Sequence, residues 1–117
     1  MRIEMHGQAV ALQRPLRQYV ERALLFALGR FAERIQRIRV SIADVNGPRG
    51  GSDKRCRVQV YLGRLGEVLA EDTDERIATA VDHASERAGR ATRRVIERKI
   101  DGRSSSVPLG GEPGWAE

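Results

Sequence analysis

The chain has 117 residues, enough for one domain with a modest core, and hydrophobic and charged residues make up 40% and 32% of it. Lysine plus arginine number 21 against 16 acids, for a formal net charge of +5 and a pI near 10.3. A single cysteine excludes a disulfide framework or a cysteine-rich zinc site, and no run approaches the roughly 18 apolar residues of a membrane span.

The N-terminus, MRIEMHGQAV, lacks the apolar core of a signal peptide, so the expected compartment is the cytoplasm. Residues 1–7 read as a short strand, with Ile3 and Met5 on one face and Arg2, Glu4 and His6 on the other. A helix follows over about 14–33. Leu16, Tyr19, Val20, Ala23, Leu24, Ala27, Leu28 and Phe31 recur at helical spacing, and Pro15 sits in the first turn, where its missing N–H costs nothing.

Residues 36–45 alternate, with Ile38, Val40 and Ile42 facing inward. Asn46 to Asp53 carries every turn signal. A third strand spans 54–62, with Cys56, Val58, Val60 and Leu62 inward and Arg55, Arg57, Gln59 and Tyr61 outward; after a turn at Gly63–Gly66, residues 67–71 give a fourth. The acidic run Glu71-Asp72-Thr73-Asp74-Glu75 precedes a helical pattern over about 74–99, and Asp72 or Thr73 is expected to cap it. Gly89 lies inside that helix at a cost of roughly 1 kcal/mol relative to alanine. From Gly102 onward the chain is rich in Gly, Ser and Pro and reads as a disordered tail, 102–117, with Trp115 unpacked.

The order is β-α-β-β-β-α. One four-stranded sheet with both helices packed on the same face satisfies every apolar stripe, an α+β architecture. The other sheet face is then open, with Arg2, Glu4, His6, Arg37, Arg39, Ser41, Arg55, Arg57, Gln59 and Tyr61 on it.

The second helix carries the clearest functional signal. Arg87, Arg90, Arg94 and Arg98 fall in a stripe about 80° wide over three turns, beside the buried face. Such a rail can meet successive RNA phosphates; the plainer reading is a solvated face with local ion pairs to Glu86 and Glu97. The loop GPRGGSDKRCR adds Arg49, Lys54, Arg55 and Arg57 against Asp53. Its glycines allow a close approach to phosphate, and it fits a flexible hairpin loop equally well; Walker spacing is absent.

No catalytic or metal set emerges. His6 and His83 are the only histidines, neither with a triad or metal partner by spacing, and Cys56 falls in the inward set of a strand as a core hydrophobe. An RRM-type stacking surface needs two or three aromatics on the open sheet face, where Tyr61 is alone. The reading is therefore a non-enzymatic binder needing no cofactor, small-molecule substrate or membrane.

Several segments together resemble the ribosome hibernation-promoting factor and ribosome-associated inhibitor family in its short form. Ile3-Glu4-Met5-His6-Gly7 is similar to the family's opening strand and turn, and Leu16-Arg17-Gln18-Tyr19-Val20 to its LRxYV segment. Glu71-Asp72-Thr73-Asp74 with Ile77 to Asp82 resembles the acidic lead into its last helix, where Arg87, Arg90 and Arg94 fall on basic positions. Ala88 and Thr92 stand where that helix has larger apolar residues, and no family role carries over to Lys54 and Arg55.

The resemblance covers residues 1 to about 100 and implies a ribosome-binding domain over 1–101. It implies binding to ribosomal RNA of the small ribosomal subunit near the decoding region, in the paths of mRNA and tRNA, blocking translation under stress. The RNA-binding residues would be Arg87, Arg90 and Arg94; Arg98, Lys54, Arg55 and Arg57 are expected to add field and contacts by their charge, apart from the resemblance. Two other readings stay open: a general binder of structured RNA, and a protein-interaction module working through the open sheet face or an edge strand.

Overall fold

The computed structural model describes residues 1–46 and 52–105. Strand β1 (Arg2–Gln8) leads into helix α1 (Arg14–Leu28) and a 3-10 turn (Gly29–Arg34). Strands β2 (Arg37–Asn46) and β3 (Ser52–Tyr61) follow, then a short 3-10 turn (Gly63–Leu65), β4 (Glu67–Asp74) and α2 (Ile77–Ser105). The sheet order is β1-β2-β3-β4; β1 runs parallel to β2, and the other two pairs are antiparallel. This is the expected β-α-β-β-β-α order.

The alternation seen in the sequence sets the two faces. Ile38, Val40, Ile42, Cys56, Val58, Val60 and Val68 are buried under both helices, in one cluster with Val20, Leu24 and Leu28 of α1 and Ala80, Val81, Ala84 and Ala88 of α2. The register aligns the opposite face into rows: Arg2, Arg37, Tyr61 and Glu67; Glu4, Arg39, Gln59 and Leu69; His6, Ser41, Arg57 and Glu71.

The β3–β4 connection needs a left-handed backbone at Gly63 (φ 62°) and a positive φ at Gly66 (φ 106°), where only glycine is unstrained. The Leu62 N–H donates to the Gly66 carbonyl at 2.8 Å and closes the turn.

Tyr19 ties the helices together, its hydroxyl donating to both carboxylate oxygens of Asp82 at 2.7 and 2.8 Å. That hydrogen bond, then burial and the Asp82 charge, push the phenol pKa above its ordinary value. Gly89 allows the helices to touch: a Cβ there would stand 2.8 Å from the Ala27 carbonyl oxygen. Its low helix propensity is thus offset by the close approach it permits.

Three boundaries differ from the sequence reading. Helix α1 stops at Leu28, and its expected last turn is 3-10, starting at Gly29. The acidic run does not cap α2 through Asp72 or Thr73. It extends β4 to Asp74, with Asp72 opposite Cys56 and Asp74 opposite Lys54, because the ten-residue β3 offers hydrogen bonds to alternate backbone groups of the run. Asp74 Oδ1 then accepts from the Arg76 N–H at 3.0 Å, just before α2 begins at Ile77. Finally, α2 runs to Ser105, past the expected end near 99, while residues 106–117, with Trp115, lie outside the described residues.

Ser85 Oγ and Thr92 Oγ1 are buried without a hydrogen-bond partner among the described residues. A buried hydroxyl left unpaired costs about 1–3 kcal/mol. The pair Ser85→Ala and Thr92→Val is therefore expected to leave stability unchanged or raise it by about 1–2 kcal/mol, since each removes the polar atom and nearly keeps the shape. Chemical denaturation checks this; a clear loss of stability would mean that these hydroxyls have partners.

Candidate nucleic-acid interface

The arginine stripe of α2 forms where the helical periodicity puts it. Arg87, Arg90 and Arg94 are exposed and Arg98 is half-buried, beside the buried row of Ala84, Ala88 and Thr92. Arg90 Nη1 lies 3.9 Å from Glu86, an exposed contact of little energy. Glu97 pairs with Arg93 at 3.7 Å. Arg94 makes no ion pair among the described residues.

Arg87 is held differently. Its guanidinium donates to the Glu71 carbonyl at 2.8 Å and lies 3.4 Å from Asp72 Oδ1. Glu71 and Asp72 are on β4, the sheet edge, so Arg87 covers a carbonyl that would otherwise be open. His83 Nδ1 sits 3.2 Å from the second oxygen of Asp72, whose side chain is only 13% exposed. His83 thus has the acidic partner that sequence spacing did not show, eleven residues away on another element.

The remaining candidates divide between the two sheet faces. Lys54 shares the helix-side parity of Cys56 and lies 3.7 Å from Asp44 Oδ1. Arg55 and Arg57 stand on the open face, where Arg57 Nε donates to Glu71 Oε1 at 3.1 Å. Glu71 therefore meets Arg57 through its side chain on the open face and Arg87 through its carbonyl at the edge. Glu71 thus links Arg87 of α2 to Arg57 on the open face, while Lys54 stays on the helix side of the sheet. Arg49 lies outside the described residues.

The open face carries a second basic group that the site reading had not singled out. Glu4 is ringed by Arg2 (3.8 Å), Arg37 (3.8 Å) and Arg39 (3.9 Å), and the Arg37 guanidinium stacks 4.3 Å from the centre of the Tyr61 ring. The strand alternation implied this face; only the parallel β1–β2 register brings the three arginines to one carboxylate.

Cys56 is buried, and burial together with the charge of Asp72 pushes its thiol up to about 12. At mildly alkaline pH the reactive thiolate is then scarcer by about a thousandfold than in an exposed thiol. A thiol reagent is expected to label Cys56 only as fast as the protein opens, and fully once it is denatured. Rapid labelling of the native protein would show an accessible thiol. The sign for stability follows: the unfolded thiol ionises near 9 and the folded one near 12, so this group's contribution is complete below 9 and is lost as pH rises toward 12.

Among the described residues no group of His, Cys, Asp or Glu could hold a metal ion, and no helix is long and apolar enough to cross a membrane. The arrangement offers exposed guanidinium groups, which suit phosphate oxygens.

Known proteins share this fold. The N-terminal domain of protein Y from Thermus thermophilus is 25% identical, with a TM-score of 0.67 over 80% of this chain and 98% of that one. A ribosomal subunit interface protein from Coxiella burnetii shares the fold at 19% identity, with a TM-score of 0.65 over 86% of this chain and 99% of that one. No curated protein sequence matches. Residues 3–100, from β1 through most of α2, match the family model described as sigma 54 modulation protein / S30EA ribosomal protein, and the chain belongs to that family.

Proposed function

We propose that this protein binds the small ribosomal subunit and inhibits translation by occupying the paths of mRNA and tRNA near the decoding region. The observation that carries the reading is the exposed arginine stripe of α2 in a chain of a ribosome-associated family. Arg90 and Arg94 hold phosphates of ribosomal RNA directly. Arg87 does so from its station on the β4 edge, where its exposed guanidinium has further donors beyond the one on the Glu71 carbonyl. Arg98 extends the stripe, Arg55 and Arg57 add positive field from the open face, and Lys54 adds it from the helix side. The protein works by occlusion, without catalysis or a cofactor, in the cytoplasm with its ribosomes.

Sedimentation of the purified protein with ribosomes and separated subunits tests this. The protein is expected to travel with small subunits, to be displaced by mRNA, and to come off as salt rises, because each phosphate contact releases counterions. Protein that stays at the top of the gradient would refute ribosome binding. Equal affinity for plain duplex RNA would instead support a general binder of structured RNA.

A further inference from the structure

The chain has two phenylalanines, and they line one groove. Phe26 projects from α1 and is 92% exposed, the most exposed large apolar side chain among the described residues; Leu25 beside it is 53% exposed. Phe31 follows on the 3-10 turn, with the Arg30 guanidinium 5.2 Å from its ring centre. Arg90 and Arg93 of α2 line it from the other helix, and Gly89 and Ala27, where the two helices touch, lie between them.

The charge of this groove indicates its occupant. Among the described residues three arginines line it against one carboxylate, Glu86. The pairs Arg90–Glu86 and Arg93–Glu97 are long and exposed, so phosphate can replace either carboxylate at little cost. A second copy of the chain fits poorly, since a two-fold interface would press the arginines of one copy toward those of the other. An unpaired nucleotide supplies both complements at once: a flat π face for the ring and an anion for the guanidinium groups. Arg90 belongs to the α2 stripe as well, so RNA lying along the stripe already reaches the groove.

We propose that this groove takes an unpaired RNA base, stacked on Phe26, with Arg90 and Arg93 holding the flanking phosphates. The inference rests on the reading of the chain as an RNA binder and adds a base contact to the phosphate contacts of the stripe.

The test compares a short oligoadenylate with an abasic oligonucleotide of the same length. Both carry the same phosphates, and only the first can stack. Phe26→Ala is expected to weaken oligoadenylate binding roughly five- to a hundredfold, the range for loss of one stacked base, and to leave abasic binding unchanged. Phe26→Trp is expected to keep the wild-type preference. Since Phe26 lies outside the core, both variants should fold as wild type, which circular dichroism checks.

Phe26→Ala binding oligoadenylate as tightly as wild type would overturn the base site, as would wild type binding both oligonucleotides equally. So would a wild-type dimer that Phe26→Ala dissolves, which would make the groove a contact between copies. Protein that travels with small subunits but binds neither oligonucleotide refutes the base site alone. Protein that does neither refutes the base site together with the ribosomal reading.

Discussion

Replacing Arg87, Arg90 and Arg94 together with glutamate is expected to lower affinity for small subunits by about a thousandfold at moderate salt, because each change turns attraction to phosphate into repulsion. The slope of log affinity against log salt should become shallower by about three, one for each lost contact. The three positions are not equivalent. Arg87 is bound to the Glu71 carbonyl and lies 3.4 Å from Asp72, so glutamate there sets two carboxylates against each other and disturbs the β4 edge. The pair Arg90→Glu and Arg94→Glu spares that bridge; among the described residues Arg90 gives up its exposed contact with Glu86, and Arg94 gives up no ion pair. The double variant should still fold and lose about two units of salt slope. If it binds as wild type while the triple variant does not, Arg90 and Arg94 are not the RNA contacts and the loss arises at Arg87 and the β4 edge.

The second large effect is on stability. Gly89→Leu is expected to destabilise the fold by about 3 kcal/mol, because the Cβ alone would stand 2.8 Å from the Ala27 carbonyl oxygen and the rest of the side chain has to force α1 from α2. For a domain of this size that corresponds to a fall in Tm on the order of 10–20 °C. Gly89→Ala separates local from tertiary effects. In an isolated helix it would gain about 1 kcal/mol, so a rise in Tm would mean that the helices have room to spare. A fall is expected, since the clash is with backbone and no rotamer change relieves it. Ala27→Gly should not rescue either variant, because the obstructing atom is the carbonyl oxygen.

These two predictions draw on different sources of information. The stripe was legible in the sequence: its angle depends only on the 3.6-residue period, and the apolar row beside it fixes which side faces water. The same holds for the strands, where Ile38, Val40 and Ile42 or Cys56, Val58 and Val60 alternate with polar residues and settle both strand and face. The role of Gly89 was not legible. Within its own helix it is only a weak helix former, and its partner Ala27 is on another element.

The acidic run shows the same division. Glu71 to Asp74 carries a proper helix-start signature, and local chemistry alone favours a cap. Pairing with β3 overrode it, because the continuing β3 strand offers hydrogen bonds to alternate backbone groups of the run. With the strand extended, Asp72 turns toward α2 and binds His83 and Arg87, which the sequence could show only as separate charges. The basic loop and strand divide for a related reason. Lys54, Arg55 and Arg57 are near neighbours in sequence, yet the period of two sends Lys54 to the helix side and the arginines to the open face.

By itself the sequence determined the element order, the two-faced sheet, the arginine stripe and the family resemblance, all of which follow from local periodicity or from ordered short segments. Only the tertiary structure decided what meets what: Tyr19 with Asp82, Glu71 with both Arg57 and Arg87, Gly89 with Ala27, and Phe26 with Arg90 and Arg93 across a groove. Those contacts join elements distant in the chain, and the register and close approach that set them depend on how all the apolar faces pack at once.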